Sequence, residues 1–254
     1  MIQRLREAGL LWPMLAALPA IAILVSLGSW QLNRKAWKEE LLATISERMV
    51  KPPADLTSDD VTGERKPPGV YTPVRVRGRL LHEHERYFFS DGPQGSGYHV
   101  FTPLELAPDR IVWINRGYVP RRLQDPATRQ TGQVTDLIEV TGLVRKQGER
   151  NLFTPENDVA RNIWFWRDID GLTGSAFPAG AVIAAPFVID AARTPEQGGG
   201  WPQGGTTIVK FPNRHLEYAL TWYGLATTLV GVLVAYAWTK LRRRAVSQAS
   251  NGPS

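Results

Sequence analysis

The sequence predicts a membrane protein in which two transmembrane helices, one near each end, flank a single mainly antiparallel β domain of barrel or sandwich type. Three observations carry this reading. No residue between positions 8 and 33 is charged, and none between 218 and 239. As a helix, even the shorter run covers roughly 33 Å, enough to cross a bilayer. Between the two runs, short alternating stretches bounded by Gly and Pro recur, as they do in small β sandwiches and barrels.

The elements follow in order: residues 1–9 as a tail, 10–32 as the first transmembrane helix, 33–217 as the β domain, 218–239 as the second transmembrane helix and 240–254 as a basic tail. The first apolar run contains Pro13 and Pro19, which a membrane helix tolerates where neighbours re-satisfy the freed carbonyls. Trp12 and Trp30 bracket it as an aromatic belt does. The run is longer than a signal-peptide core, and Ala20-Ile21-Ala22 lies in its middle, so an uncleaved anchor is expected. Over 31–50, Leu32, Trp37, Leu41, Leu42 and Ile45 keep helical spacing, so the helix continues beyond the apolar run. Trp30 reads as an interfacial anchor and Trp37 as packing against the second span. The segment 51–69, with Pro52, Pro53, Pro67 and Pro68, reads as a loop. Strands are expected over 74–81, 86–90, 98–106, 111–118, 137–146, 184–191 and 206–211, with a short helix near 166–172.

The net charge is +6, but Lys240, Arg242, Arg243 and Arg244 in one tail, and Arg4 and Arg6 against Glu7 in the other, hold most of it. The middle is close to neutral, which argues against nucleic acid as a partner. Basic tails face the cytoplasm, so both termini are expected there and the β domain in the periplasm. Arg34, Lys35 and Lys38 run against this rule, and the C-terminal cluster decides the orientation. The chain has no cysteine and three scattered methionines. Disulfides, thiolate-bound metal and a methionine-rich copper site are therefore excluded.

Enzyme signatures are absent, and no catalytic residue is expected. Ser96 has Gln94 and Tyr98 where G-x-S-x-G needs glycines, no phosphate-binding G-x-x-x-x-G-K-[ST] occurs, and the glycines of 198–205 do not make G-x-G-x-x-G. His82-Glu83-His84-Glu85 is not H-E-x-x-H. On a strand, His82 and His84 would share a face and, with His99, could meet a metal; otherwise the stretch is a polar hairpin end. Asn115-Arg116-Gly117 reads as a turn with Gly117 at positive φ, the alternative being that Arg116 docks a partner. Trp164-Phe165-Trp166 reads as core, or as a partner surface, with Arg167 and Asp168 as a local ion pair.

The strongest site candidate is His215, just outside the second apolar run. His215, Tyr218 and Trp222 fall at i, i+3 and i+7, on one helix face. Such a face can hold a flat, apolar, metal-bearing ligand at the membrane surface. It can equally be a helix cap bonded to a lipid headgroup, with the aromatics as an interface belt.

In order along the chain stand Leu27-Gly28-Ser29-Trp30-Gln31-Leu32 with Arg34, Lys35 and Trp37, then Pro73-Val74-Arg75-Val76-Arg77-Gly78, then Phe101-Thr102-Pro103-Leu104. Asn115-Arg116-Gly117-Tyr118-Val119-Pro120 follows, then Thr128-Arg129-Gln130 with Gly132, Pro155-Glu156-Asn157, and Arg161-Asn162 with Trp164 and Arg167-Asp168. His215-Leu216, Tyr218 and Thr221-Trp222-Tyr223-Gly224-Leu225 close the series. In this order the motifs resemble the surfeit locus protein 1 family, whose members assist assembly of haem–copper cytochrome c oxidase. The resemblance implies two spans embedded in the lipid bilayer, an outward-facing domain and a link to haem a, with the oxidase catalytic subunit and haem a synthase as partners. It implies that His215 is the ligand to haem a iron, a role suited to a neutral imidazole. Tyr218 and Trp222 would then pack on the porphyrin, and Arg214, Arg34 and Lys35 would pair with its propionates. A scaffold that stabilises an assembly intermediate without touching haem is the alternative. A mitochondrial member would carry an arginine-rich presequence; this chain starts straight into its span, so a bacterial inner membrane is expected.

Overall fold

Alternating apolar residues build a closed sheet. In the computed structural model, which describes residues 9–62, 65–92, 95–193, 200–205 and 213–250, the chain forms two compact units: residues 44–209, and residues 1–43 together with 210–254. In the first of these, strands β2 (Pro73–Leu80), β4 (Gly95–Ala107), β5 (Arg110–Pro120), β6 (Ile138–Lys146) and β8 (Ile183–Ala191) make a ring in the order β2-β6-β8-β5-β4. It closes where β4 returns to β2, through Arg79 opposite Glu105 and Leu80 opposite Leu104. Val74 and Val76, Val112 and Ile114, Val140 and Val144, and Phe187 and Ile189 alternate into one buried core. Strands β3 (Arg86–Gly92) and β7 (Ile163–Trp164) extend the sheet beyond β4.

β5 is buried on both faces. Its inward residues fill the barrel, while Ile111 and Trp113 meet an outer layer of Phe88, Phe101, Trp164, Ile169, Leu172 and Val188. Helix α3 (Ile169–Ala176) supplies part of that layer, and Asp168 caps it by accepting from the Gly171 amide at 3.1 Å. Asp168 is thus a cap rather than a partner of Arg167, whose Nε donates to the Lys146 carbonyl. Trp164 is core as expected; Phe165 is exposed.

Three departures from the sequence reading concern pairing and short elements. The ring is antiparallel except between β5 and β8, which run parallel. The segment read as a loop over 51–69 contains β1 (Ala54–Leu56), parallel to β2, and a single helical turn, α2 (Ser58–Thr62). Val61 of that turn enters the barrel core. The expected strand over 206–211 lies outside the described residues.

The other unit is an antiparallel pair of helices, α1 (Leu11–Met49) and α4 (His215–Ser250), of which residues up to Ala43 and from Lys210 belong to this unit. α1 runs without interruption through the expected extension. Both helices are long and apolar enough to cross a membrane. Ala17, Ala219 and Ala226 are buried, whereas Leu15, Leu18, Ile23, Val230, Val232 and Val234 are exposed. Small residues inside and large apolar ones outside is the pattern of helices packed in lipid. The hydroxyls of Ser26, Thr227, Thr228 and Thr239 donate to the carbonyl four residues back, so they leave no open donor.

Candidate functional site

His215 is the first residue of α4 and is half-buried. Its Nδ1 lies 2.8 Å from Oε1 of Gln31 on α1. Its Nε2 meets no partner among the described residues. Two turns on, the Tyr223 hydroxyl and Ser29 Oγ are 3.0 Å apart. Gly28 lets the Tyr223 ring in: a Cβ there would stand 2.8 Å from Tyr223 Cζ. Three neighbours from the first-span motif thus each address a residue of the second helix.

The other candidate residues divide. Tyr218 is 54 % exposed and Trp222 half-buried, so both offer ring surface. Arg214 is exposed and its side chain has no partner among the described residues. Lys35 is held by Glu39 at 2.7 Å, and the Arg34 guanidinium lies 4.0 Å over the Trp37 ring. Trp37, read as packing against the second span, is 49 % exposed and serves as that platform instead.

The three histidines of the β unit do not assemble. His82 and His84 lie on a 3₁₀ turn (His82–His84), not a strand, so they do not share a face with each other or with His99. No group of three or more metal-ligating side chains occurs among the described residues. His84 packs on Phe177 with ring centroids 4.3 Å apart. His99 Nδ1 donates to Asn115 Oδ1 at 3.2 Å, and burial pushes its pKa down.

His82 belongs to a buried ionic cluster that the sequence reading missed. Glu85, Arg116 and Arg129 are each 3 % exposed. Glu85 Oε1 accepts from Arg116 at 3.1 Å, and Oε2 pairs with Arg129 and accepts from the Tyr87 hydroxyl at 3.2 Å. Arg116 also donates to the Gly132 carbonyl, and Gln133 Nε2 to Glu85. His82 Nε2 donates to the Val134 carbonyl at 2.8 Å, while Nδ1 faces Arg116 at 3.2 Å. Burial raises the Glu85 carboxyl, but His82, Arg129 and Arg116 outweigh it and hold the pKa at about 2. Burial and the Glu85 charge push Tyr87 up to about 12, and burial brings Arg116 down to about 10. One carboxylate held between two guanidiniums is closed chemistry: its oxygens are spoken for.

The same geometry corrects the reading of Asn115-Arg116-Gly117. These residues lie within β5 rather than in a turn, and Arg116 points into the buried cluster rather than toward a partner. Gly117 does take positive φ, at 110°. A side chain there would overlap the carbonyl of Gln203, which pairs with Tyr118 across an isolated bridge. Asn162 ties in from the other side, its Nδ2 donating to the Glu85 carbonyl at 2.9 Å and its Oδ1 accepting from Trp164 Nε1. Asn157 Oδ1 accepts from the amides of Phe165 and Trp166. Most motif residues of the β unit therefore hold its architecture, whereas His215 Nε2 on α4 has no partner among the described residues. The signal for the cluster was present in Glu85, Arg116 and Arg129, but no local spacing links residues so far apart.

Comparison with known proteins finds relatives over most of the chain. The SURF1 family model matches residues 18–227. Surfeit locus protein 1 of Mus musculus is 34 % identical over 240 residues, covering 88 % of this chain and 73 % of that protein. The Homo sapiens protein of the same name is 34 % identical over 231 residues, covering 84 % and 72 %. A SURF1-like protein of Monosiga brevicollis is 32 % identical over 252 residues, covering 94 % and 90 %. With the barrel, most of α1 and the first turns of α4 inside one continuous match, the chain belongs to the SURF1 family.

Proposed function

We propose that this chain is a non-enzymatic assembly factor for cytochrome c oxidase that carries haem a as cargo. It takes haem a from haem a synthase at the outer face of a bacterial inner membrane and passes it to the oxidase catalytic subunit. Membership of the family supports the role in oxidase assembly. The haem reading rests on one observation above the others: an imidazole at the mouth of an apolar helix with Nδ1 engaged and Nε2 unpaired among the described residues. Neutral imidazole is a good axial ligand for haem iron. Tyr218 and Trp222 supply ring surface beside it, and the bilayer takes the isoprenoid tail. Arg214 is the cation best placed to meet a propionate, because Lys35 and Arg34 would have to leave Glu39 and Trp37. In this reading the β domain faces the periplasm and both termini the cytoplasm.

The test is the absorption spectrum of protein purified from cells that make haem a. His215→Ala is expected to lose the Soret band while α4 still inserts, since alanine suits a membrane helix. His215→Met is expected to retain some haem with an altered spectrum. A full haem complement and unchanged Soret band in His215→Ala would sink the ligand assignment. For orientation, a reporter active only in the periplasm should work fused near residue 130 and fail fused after Arg244; the reverse pattern overturns the topology.

The alternative, a haem-independent scaffold that stabilises an assembly intermediate, draws on a different observation. Leu152 and Phe153 are 99 % and 93 % exposed at the tip of a turn. Asn151 Oδ1 pins that turn by accepting from the Phe153 amide, as does the 3.1 Å bond from the Thr154 amide to the Asn151 carbonyl. Two apolar side chains presented on an ordered turn suit docking to a protein. If His215→Ala retains haem, Leu152→Ser with Phe153→Ser should be the change that impairs oxidase maturation.

A further inference from the structure

We propose that Gln31 is the positioning residue of His215: it fixes the ring as the Nδ1–H tautomer and so reserves the Nε2 lone pair for a metal. The inference rests on the ligand reading given above and deepens it. A neutral imidazole carries one N–H and one lone pair, and the partner of one nitrogen decides which is which. Here that partner is an amide oxygen, Oε1 of Gln31, 2.8 Å from Nδ1. An oxygen of this kind only accepts, so Nδ1 bears the hydrogen. Nε2 is then the lone-pair nitrogen, and it is also the one without a partner among the described residues.

The surroundings fit a built contact rather than a chance one. Gln31 is half-buried, on the face of α1 that meets α4. Gly28 and Ser29, three and two residues earlier, set the approach of the two helices through Tyr223. The Gln31 side chain is therefore delivered to the ring by a close helix contact that does not depend on the histidine. Second-layer acceptors of this sort orient metal-bound histidines generally and raise their basicity, and removing one costs about 10–100-fold in metal affinity.

The experiment uses the detergent-solubilised full chain, labelled with nitrogen-15 histidine, without haem and then titrated with ferric protoporphyrin IX. The His215 resonances are identified by their loss in His215→Ala. In the haem-free wild type, Nδ1 should be the protonated, pyrrole-like nitrogen and Nε2 the pyridine-like one. Gln31→Leu should abolish that preference and weaken haem affinity by about 10–100-fold. Gln31→Glu keeps the shape and strengthens the acceptor; it should hold the tautomer and shift the haem midpoint potential downward, a change that a purely structural role would not produce. An Nε2–H ring in the wild type, with the Gln31 amide nitrogen donating to Nδ1, overturns the proposal. So does a tautomer that Gln31→Leu leaves unchanged, or identical midpoint potentials in the wild type and Gln31→Glu. If the ring is Nδ1–H but the wild type does not bind the porphyrin, the ligand reading fails and the positioning contact does not.

Discussion

Two polar clusters of this molecule, each containing family-motif residues (Arg116 and Arg129 in one, Gln31 and His215 in the other), end in opposite states. Around Glu85, every strong donor and acceptor meets another: two guanidiniums, a tyrosine hydroxyl, a glutamine amide and an imidazole close on one carboxylate. Between α1 and α4, the Gln31 amide oxygen meets the His215 imidazole, and the second ring nitrogen has no partner among the described residues. A closed network specifies a fold, because each member is costly to remove. In the function proposed above, an incomplete one keeps a coordination position for something outside the chain. Motif residues in one chain therefore need not share a purpose, and hydrogen-bond saturation tells the two kinds apart.

The largest effect that separates the clusters is expected from Glu85→Gln. It leaves Arg116 and Arg129 buried against a neutral group, and breaking a buried pair in this way costs about 3–5 kcal/mol. The β domain should melt earlier or express poorly, whereas His215→Ala should leave its melting unchanged. If Glu85→Gln is as stable as the wild type, the closed cluster is not what holds the barrel's flank.

Acid gives a graded version of the same contrast. Because the folded pKa of Glu85 is depressed from 4.5 to about 2, its stabilisation is fully present above 4.5 and is lost as pH falls toward 2. Unfolding of the β domain followed by circular dichroism should show stability falling across that window. Glu85→Gln should flatten that part of the profile, and an unchanged slope would remove Glu85 as its source.

The smallest effects sharpen the open cluster. Tyr218→Leu and Trp222→Leu remove aromatic contact but no coordinate bond, so each should weaken haem retention only partly, dispersion contacts being individually small. Loss as complete as in His215→Ala would mean that the aromatics, not the imidazole, hold the ligand.

Much of the barrel was legible in the sequence, because Val, Ile and Phe at every second position betray a half-buried strand without reference to its partner. What the pattern hid was of two kinds. β1, β7 and α2 are two to five residues long, too short for any period to show. The rest depended on long-range contact. Gly117 carries the positive φ of a turn, yet it sits inside β5, where the close approach of the Gln203 backbone leaves no room for a side chain. Glu85 looks like the polar end of a hairpin until Arg116 and Arg129 arrive from other elements. Two apolar helices long enough to cross a membrane, and the place of His215 at the start of α4, could be read directly from where the charges stop. That Gln31 serves His215 could not, since 184 residues separate them.

The fit of Tyr223 over Gly28 also bears on which substitutions the helix pair can accept. Lipid tails solvate leucine as well as another helix does, so cohesion within a bilayer comes from close fit rather than from expulsion of water. The outward residues Leu15, Leu18, Ile23, Val230 and Val234 are then interchangeable with almost any aliphatic of similar bulk. A single methyl group at Gly28, by contrast, would push the Tyr223 ring away and with it the Ser29 contact. Mutational tolerance along the two helices should therefore follow contact rather than hydrophobicity: permissive at their greasiest outward positions and at Gly224 and Gly231, where a Cβ meets open space, and intolerant at Gly28.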